Sequence, residues 1–405
     1  MEAKIEFINS GGVTSPQGFH AGATYAGIKK KAKDSLDLGI LFSEVPCVAT
    51  ALFTTNRIKA APVILSQQRL QAGRARAVVI NSGCANSCTG EQGLADAIEM
   101  AGLAAQGIGL SPEDVLVAST GVIGQRLPME QLRAGMSQLA LSKDGGHELA
   151  RAIITTDTLP KEVAVAVRVQ DSEFIIGGVA KGAGMIHPDL ATLLCFITTD
   201  AAVDQDFIKP ALRKAVDVSF NMVSIDGDTS PNDMVLIMAN GLAGNKPVSP
   251  GSAQADVFQQ ALDRVCIYLA KSIARDGEGA SKLIEVTVSG AYSMAEARLA
   301  ARTIVSSPLV KTAVHGSDPN WGRIIAAVGR SGVEVVESRI DLYIGDICVV
   351  KSGNPLTFNK QGVIDIMVGS EVPVSLQLNL GNATATAWGC DLSEEYVTIN
   401  SQYTT

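Results

Sequence analysis

Lys181 sits in a run of small residues, Gly177-Gly178-Val179-Ala180-Lys181-Gly182-Ala183-Gly184, and shortly after it Thr192 opens the apolar stretch Leu193-Leu194-Cys195-Phe196-Ile197. A β-branched residue at the head of such a stretch ordinarily begins a buried strand and does nothing more. Its chemical alternative requires the bond between Ala191 and Thr192 to be cut. Thr192 would then carry a free α-amine, with an ordinary pKa of roughly 8, beside its own weakly nucleophilic hydroxyl, so that one residue supplies nucleophile and base. Such a scheme needs no histidine. The chain has only His20, His147, His187 and His315, none next to a Ser or Cys in a known nucleophile motif, and Gly-x-Ser-x-Gly is absent.

Other segments place small and polar residues where a plain core would not need them. Ser119-Thr120-Gly121-Val122-Ile123-Gly124 follows an apolar run directly. A strand ending in Thr-Gly presents a hydroxyl and a bare backbone N–H to a ligand; otherwise it is a tight turn. The glycines around Lys181 do not make a phosphate loop, which needs Gly-Lys followed by Ser or Thr, and the G-x-G-x-x-G spacing is missing too. Lys181 is still able to meet a carboxylate as a compact point charge. Residues 224–233 (SIDGDTSPND) cluster Asp226, Asp228 and Asp233 without the spacing or closing Glu of a calcium loop, so a rigid polar loop is expected. Asp276-Gly277-Glu278-Gly279-Ala280 is either a helix stop or a carboxylate able to grip an ammonium. Residues 315–324 read as a turn into a helix capped by Ser317 or Asp318 and anchored by Trp321. The polar end, residues 397–405 with Asn400 and Ser401, would ordinarily fray.

Strand and helix signals alternate to position these segments. Residues 75–81 (ARAVVIN) and 115–120 (VLVAST) read as short buried strands closing on small polar turns. Val163, Val165, Val167 and Val169 alternate, as do Val372, Val374, Leu376, Leu378 and Leu380, the period of half-buried strands. Pro373 cannot donate to a ladder, so that end belongs on an edge or before full pairing. Phe258, Leu262, Val265, Leu269 and Ile273 recur at helical spacing, with Ser252 as candidate cap and Asp276-Gly277 as stop. Residues 91–106, 206–219 and 294–306 are further helices. No linker and no repeat divides the 405 residues. The expectation is a layered α/β or α+β molecule with at least one substantial sheet that is not purely parallel.

Composition narrows the classes. With 46% hydrophobic residues the chain can build a core, but at 4% aromatics that core must be Val, Ile, Leu and Ala. The net charge of −8 argues against a general nucleic-acid or anionic-membrane binder. Seven scattered cysteines, an odd number with only Cys84 and Cys88 close together, suit reduced thiols and offer no zinc pairing. No apolar run is long enough to cross a bilayer, and the start, Met1-Glu2-Ala3-Lys4-Ile5, shows no secretory pattern, so the cytoplasm is the expected compartment.

Taken in order, NSGCAN at 81–86, STGVIG at 119–124, ITTDTLPK at 154–161, KGAGMIHPDLATLL at 181–194, DGDTSPND at 226–233, DGEGA at 276–280 and INSQYTT at the end resemble the ornithine acetyltransferases, or glutamate N-acetyltransferases, of arginine biosynthesis. His187 and Asp189 fall in variable positions of that pattern. The resemblance implies an α/β sandwich with mixed sheets and flanking helices, shared with self-cleaving aminopeptidases. It implies a precursor that cuts itself between Ala191 and Thr192 into chains 1–191 and 192–405, which stay together as a heterotetramer of two each. Thr192 would take the acetyl group of N2-acetylornithine as an ester, and glutamate would collect it. The resemblance assigns Thr120 and Gly121 to an oxyanion hole and Thr155, Lys181, Thr192, Glu278, Asn400 and Thr405 to substrate, with Thr156 and Thr158 beside Thr155 as neighbours. No cofactor or metal is implied, though acetyl-CoA is open as a co-substrate. Two other functions compete: a hydrolase built on the same nucleophile, and a phosphate- or metal-dependent sugar or nucleotide binder, whose loops miss the required spacings.

Overall fold

The run Leu194–Thr199 is buried along its whole length because it lies inside a sheet covered on both faces. The computed structural model describes residues 3–29, 35–169, 172–187 and 193–402. Among them, nine strands make one sheet in the order Lys4–Phe7, Lys161–Val169, Ser172–Lys181, Leu194–Thr199, Met234–Ala239, Leu38–Phe53, Arg74–Cys84 and Val115–Val122, with Phe19–Thr24 paired to Leu38–Phe53. Most neighbours are antiparallel, but Leu194–Thr199 runs parallel to Met234–Ala239, and Arg74–Cys84 parallel to Val115–Val122. Alternation sorts the side chains. Cys195 and Ile197 enter the main core, while Leu194 and Phe196 join Leu149 and Ile153 on the opposite face.

A second, seven-stranded sheet centres on Leu283–Ala291, flanked by Glu371–Gln377 in parallel and Ala383–Cys390 antiparallel. Between the sheets runs the helix Ala255–Arg275, whose Phe258, Leu262, Val265, Leu269 and Ile273 are all buried. Its stripe packs on Lys161–Val169 and Ser172–Lys181 and reaches Ala383–Cys390. The expected layered α/β architecture with mixed sheets and flanking helices is therefore present. Among the described residues no helix is long and apolar enough to cross a membrane.

Several boundaries differ from the sequence pattern. The long helix starts after Gln254, not at a Ser252 cap; Ser252 instead accepts the Ser249 N–H within a turn. The helix Trp321–Gly329 begins after Asn320 with no side-chain cap, so neither Ser317 nor Asp318 fills that role. The last hydrophobic alternation ends at Gln377, because Leu378 and Leu380 turn their N–H groups to Ser289 and Gly290 around an Asn379 of positive φ. Pro373 pairs with Glu285 on one side but lies one residue before the opposite register begins at Val374. That accommodates its missing donor before full pairing, the second of the two placements expected, and not on an edge.

Truncating the interlayer helix tests this layering. Leu269→Ala should destabilise the protein by about 2–5 kcal/mol in chemical unfolding, the usual cost of a buried Leu→Ala cavity.

Candidate active site

The strand Val115–Val122 ends in a close approach. Gly121 has φ of +128°, and a Cβ there would lie 2.5 Å from the Cys84 nitrogen, so only glycine lets the two parallel strands meet at this point. Register slips at the same place, between Gly83 and Cys84. The result is a buried Thr120 hydroxyl and the Gly121 backbone, both at the wall of one cavity.

Lys181 is the last residue of its strand and is paired in register with Leu194. Its ammonium is buried, donates to the Thr155 hydroxyl at 2.8 Å and to Thr120 Oγ1 at 3.5 Å, and lies 3.9 Å from Asp157. Burial pulls the Lys181 pKa below the ordinary lysine value, against the opposing charge of Asp157. Asp157 also accepts from Lys161 Nζ at 2.7 Å and from the N–H groups of Gly182 and Thr155. Burial works against its carboxylate, but the charges of Lys181 and Lys161 outweigh that and hold its carboxyl well below the usual range. Lys161 continues the chain to Asp276 at 2.6 Å, and Asp276 accepts from the Thr158 hydroxyl and N–H.

Asp276 ends the long helix, and this brings Glu278 to the cavity. The Glu278 N–H donates to the Ala183 carbonyl at 2.8 Å. A Cβ on Gly184 would fall 2.5 Å from the Glu278 carboxyl carbon, so Gly184 leaves room for that side chain. The helix Glu394–Gln402 then covers the opening: Asn400 Nδ2 donates to Glu278 at 2.7 Å, and the Tyr396 hydroxyl to Asp226 at 3.3 Å. The part of the tail through Gln402 is thus a helix and not a frayed end. Asp226 braces the Lys181 loop by accepting the Met185 and Ile186 N–H groups, and burial raises its carboxyl. Ser224 closes a short strand, Val223–Ser224, and the residues after it up to Asp233 form a polar loop.

The cavity has a volume of about 200 Å³ and brings Thr120, Gly121, Thr155, Lys181, Glu278 and Asn400 together. Thr156 lines it as well, whereas Thr158 is committed to Asp276. Ala191, Thr192 and Thr405 lie outside the described residues. Leu193, just beyond Thr192 in sequence, is buried, with its N–H on Asp233 at 3.0 Å. Asp157, Asn232 and Tyr396 belong to the site but were not singled out from sequence, and Asp226 was read there only as part of a polar loop. The available signal was Asp157 and Lys161 within ITTDTLPK, a charged pair at the head of an apolar strand. Among the described residues no group of three His, Cys, Asp or Glu side chains is placed to hold a metal ion.

Fold and cavity define a two-sheet α/β protein with an amino-acid-sized polar site at a strand end. The chain belongs to the ArgJ family, whose pattern matches residues 20–405. Relatives named arginine biosynthesis bifunctional protein ArgJ include one from Dehalococcoides mccartyi, 53% identical over 405 residues and covering all of both chains. Another, from Symbiobacterium thermophilum, is 52% identical over 98% of this chain and 99% of its own. The crystal structure of the Bacillus halodurans protein of that name is similar with a TM-score of 0.51 and 47% identity, over 51% of this chain and 98% of its own.

The charge chain gives a pH test. The folded Asp157 carboxyl gives up its proton more readily than the unfolded one, so its contribution is complete above about pH 4–5 and drains away as pH falls toward its folded value. Asp157→Asn should cost about 3–5 kcal/mol at pH 7, since two buried ammoniums lose their shared partner. In urea titrations the gap to wild type should narrow from about pH 5 downward.

Proposed function

We propose that this protein moves an acetyl group from N2-acetylornithine to glutamate, releasing ornithine and N-acetylglutamate, through an acetyl ester on Thr192. One observation carries it: residues from segments as far apart as Thr120 and Asn400 line a single polar cavity of about 200 Å³. That is smaller than a drug-sized pocket of ~300 Å³ or more and suits a substituted amino acid. The two substrates share an α-amino-acid core and differ at the far end, ammonium in one and carboxylate in the other. A site serving both needs charge of each sign with hydroxyl and amide donors between, and Lys181, Glu278, Thr155 and Asn400 supply them.

In this scheme the Thr192 hydroxyl attacks the acetyl carbonyl and its proton passes to the α-amine of the same residue. The oxyanion is held by the Thr120 hydroxyl and the Gly121 N–H. Collapse expels the ornithine amine, which takes the proton and leaves acetyl-Thr192. Glutamate's amine then attacks the ester and reverses each transfer. Acetyl-CoA is a second donor to the same ester, a use that gives the relatives' word bifunctional a chemical meaning; no cofactor takes part.

The α-amine arises by scission after Ala191, giving chains 1–191 and 192–405, two of each per assembly. Their staying together has a physical basis: Ser172–Lys181 and Leu194–Thr199, on opposite sides of the cut, are paired from Ile176–Thr199 to Lys181–Leu194. The Bacillus halodurans chain, matched nearly whole by half of this one, supports a two-chain form. The free cysteines suit the cytoplasm as the place of reaction.

On a denaturing gel the wild type should run as two nearly equal fragments, and Thr192→Ala as one inactive chain. Ornithine release from N2-acetylornithine should depend on added glutamate; glutamate-independent release at the same rate would make the enzyme a hydrolase.

A further inference from the structure

Asn232 lies in the polar loop before the strand Met234–Ala239 and is 5% exposed. Its Nδ2 donates to the Ala85 carbonyl at 2.7 Å and the Ser119 carbonyl at 2.9 Å. Of the two ends of the Asn232 amide only the NH2 group can donate to carbonyls, so these contacts fix the orientation of the side chain. Ala85 follows the strand Arg74–Cys84, and Ser119 immediately precedes Thr120. Asn232 thus spans the two parallel strands at the place where their register slips around Gly83 and Cys84. The loop that holds it is itself tied down, with the Thr54 N–H on the Asp233 carbonyl and the Ala60 N–H on that of Pro231, each at 3.0 Å. The Asn232 side chain also lines the cavity, and its buried Oδ1 has no hydrogen-bond partner.

We propose that Asn232 is the positioning residue of the oxyanion hole: by clamping the carbonyls of Ala85 and Ser119 it sets the separation of the two strands, and so the aim of the Thr120 hydroxyl and the Gly121 N–H. This rests on the oxyanion role proposed above for those two groups. Gly121 has no side chain to hold it, and its φ of +128° is one glycine adopts freely, so packing alone must impose the direction of its N–H. An irregular ladder imposes it weakly, and the two amide hydrogen bonds make up the difference. Aspartate, of nearly the same shape, would bring acceptors against two carbonyls and would fail as alanine does.

The test is steady-state kinetics of acetyl transfer with Asn232→Ala and Asn232→Asp, combined with Thr120→Val. Each Asn232 variant should lower kcat about a hundredfold, the scale of losing one oxyanion donor, and change KM for either substrate less than about threefold. Because both positions act through the same hole, the double variant should lose far less than the product of the single losses. Multiplying losses, or a loss confined to KM, would overturn the assignment. Failure of both Asn232 variants to fold, read by near-UV circular dichroism, would also overturn it by making Asn232 a folding residue. A wild type that transfers no acetyl group sinks the proposed function itself, whereas an active wild type with unaffected Asn232 variants sinks only this inference.

Discussion

A buried carboxylate between two buried ammoniums organises the site. Asp157 joins Lys181, at the end of one strand, to Lys161, at the start of the preceding strand paired with it, and Lys161 passes the connection to Asp276 at the end of the interlayer helix. Charges taken out of water must be matched by partners or they cost several kcal/mol. The three groups therefore fix one another, and everything attached to them follows: the Lys181 ammonium beside Thr155 and Thr120, and Glu278 just past the helix end. Were Asp157 neutral, Lys181 would lose the carboxylate it faces and Lys161 would be left to Asp276.

Packing makes that arrangement possible. The helix Ala255–Arg275 delivers Asp276 to the strand ends only because its apolar stripe is gripped by both sheets. Glycines do complementary work at two points. Gly121 lets two strands approach more closely than any side chain allows, and Gly184 leaves space for the Glu278 carboxylate. The C-terminal helix then places Asn400 and Tyr396 over the opening.

Much of this was legible in the sequence, for identifiable reasons. The buried strand Leu194–Thr199 follows from an unbroken apolar run, and the helix through Phe258, Leu262, Val265, Leu269 and Ile273 from its period. The family resemblance pointed to Thr120, Gly121, Thr155, Lys181, Glu278 and Asn400, which do meet in one cavity. Caps were read poorly, since Ser252, Ser317 and Asp318 have the right side chains but lie in turns upstream of the helices they precede. Asn232 escaped notice because its partner Ala85 is 147 residues away, and Asp157 because only Lys161 is its neighbour in sequence while Lys181 and the onward link from Lys161 to Asp276 are not. No local pattern reports such a contact.

The proposed transfer requires scission after Ala191 and a covalent acetyl group on Thr192. Purified enzyme incubated with N2-acetylornithine and no glutamate, then denatured and analysed by mass spectrometry, should give a fragment beginning at Thr192 and heavier by one acetyl group, and added glutamate should remove that mass. An uncut chain, or a fragment that never gains the acetyl mass while turnover proceeds, would contradict it.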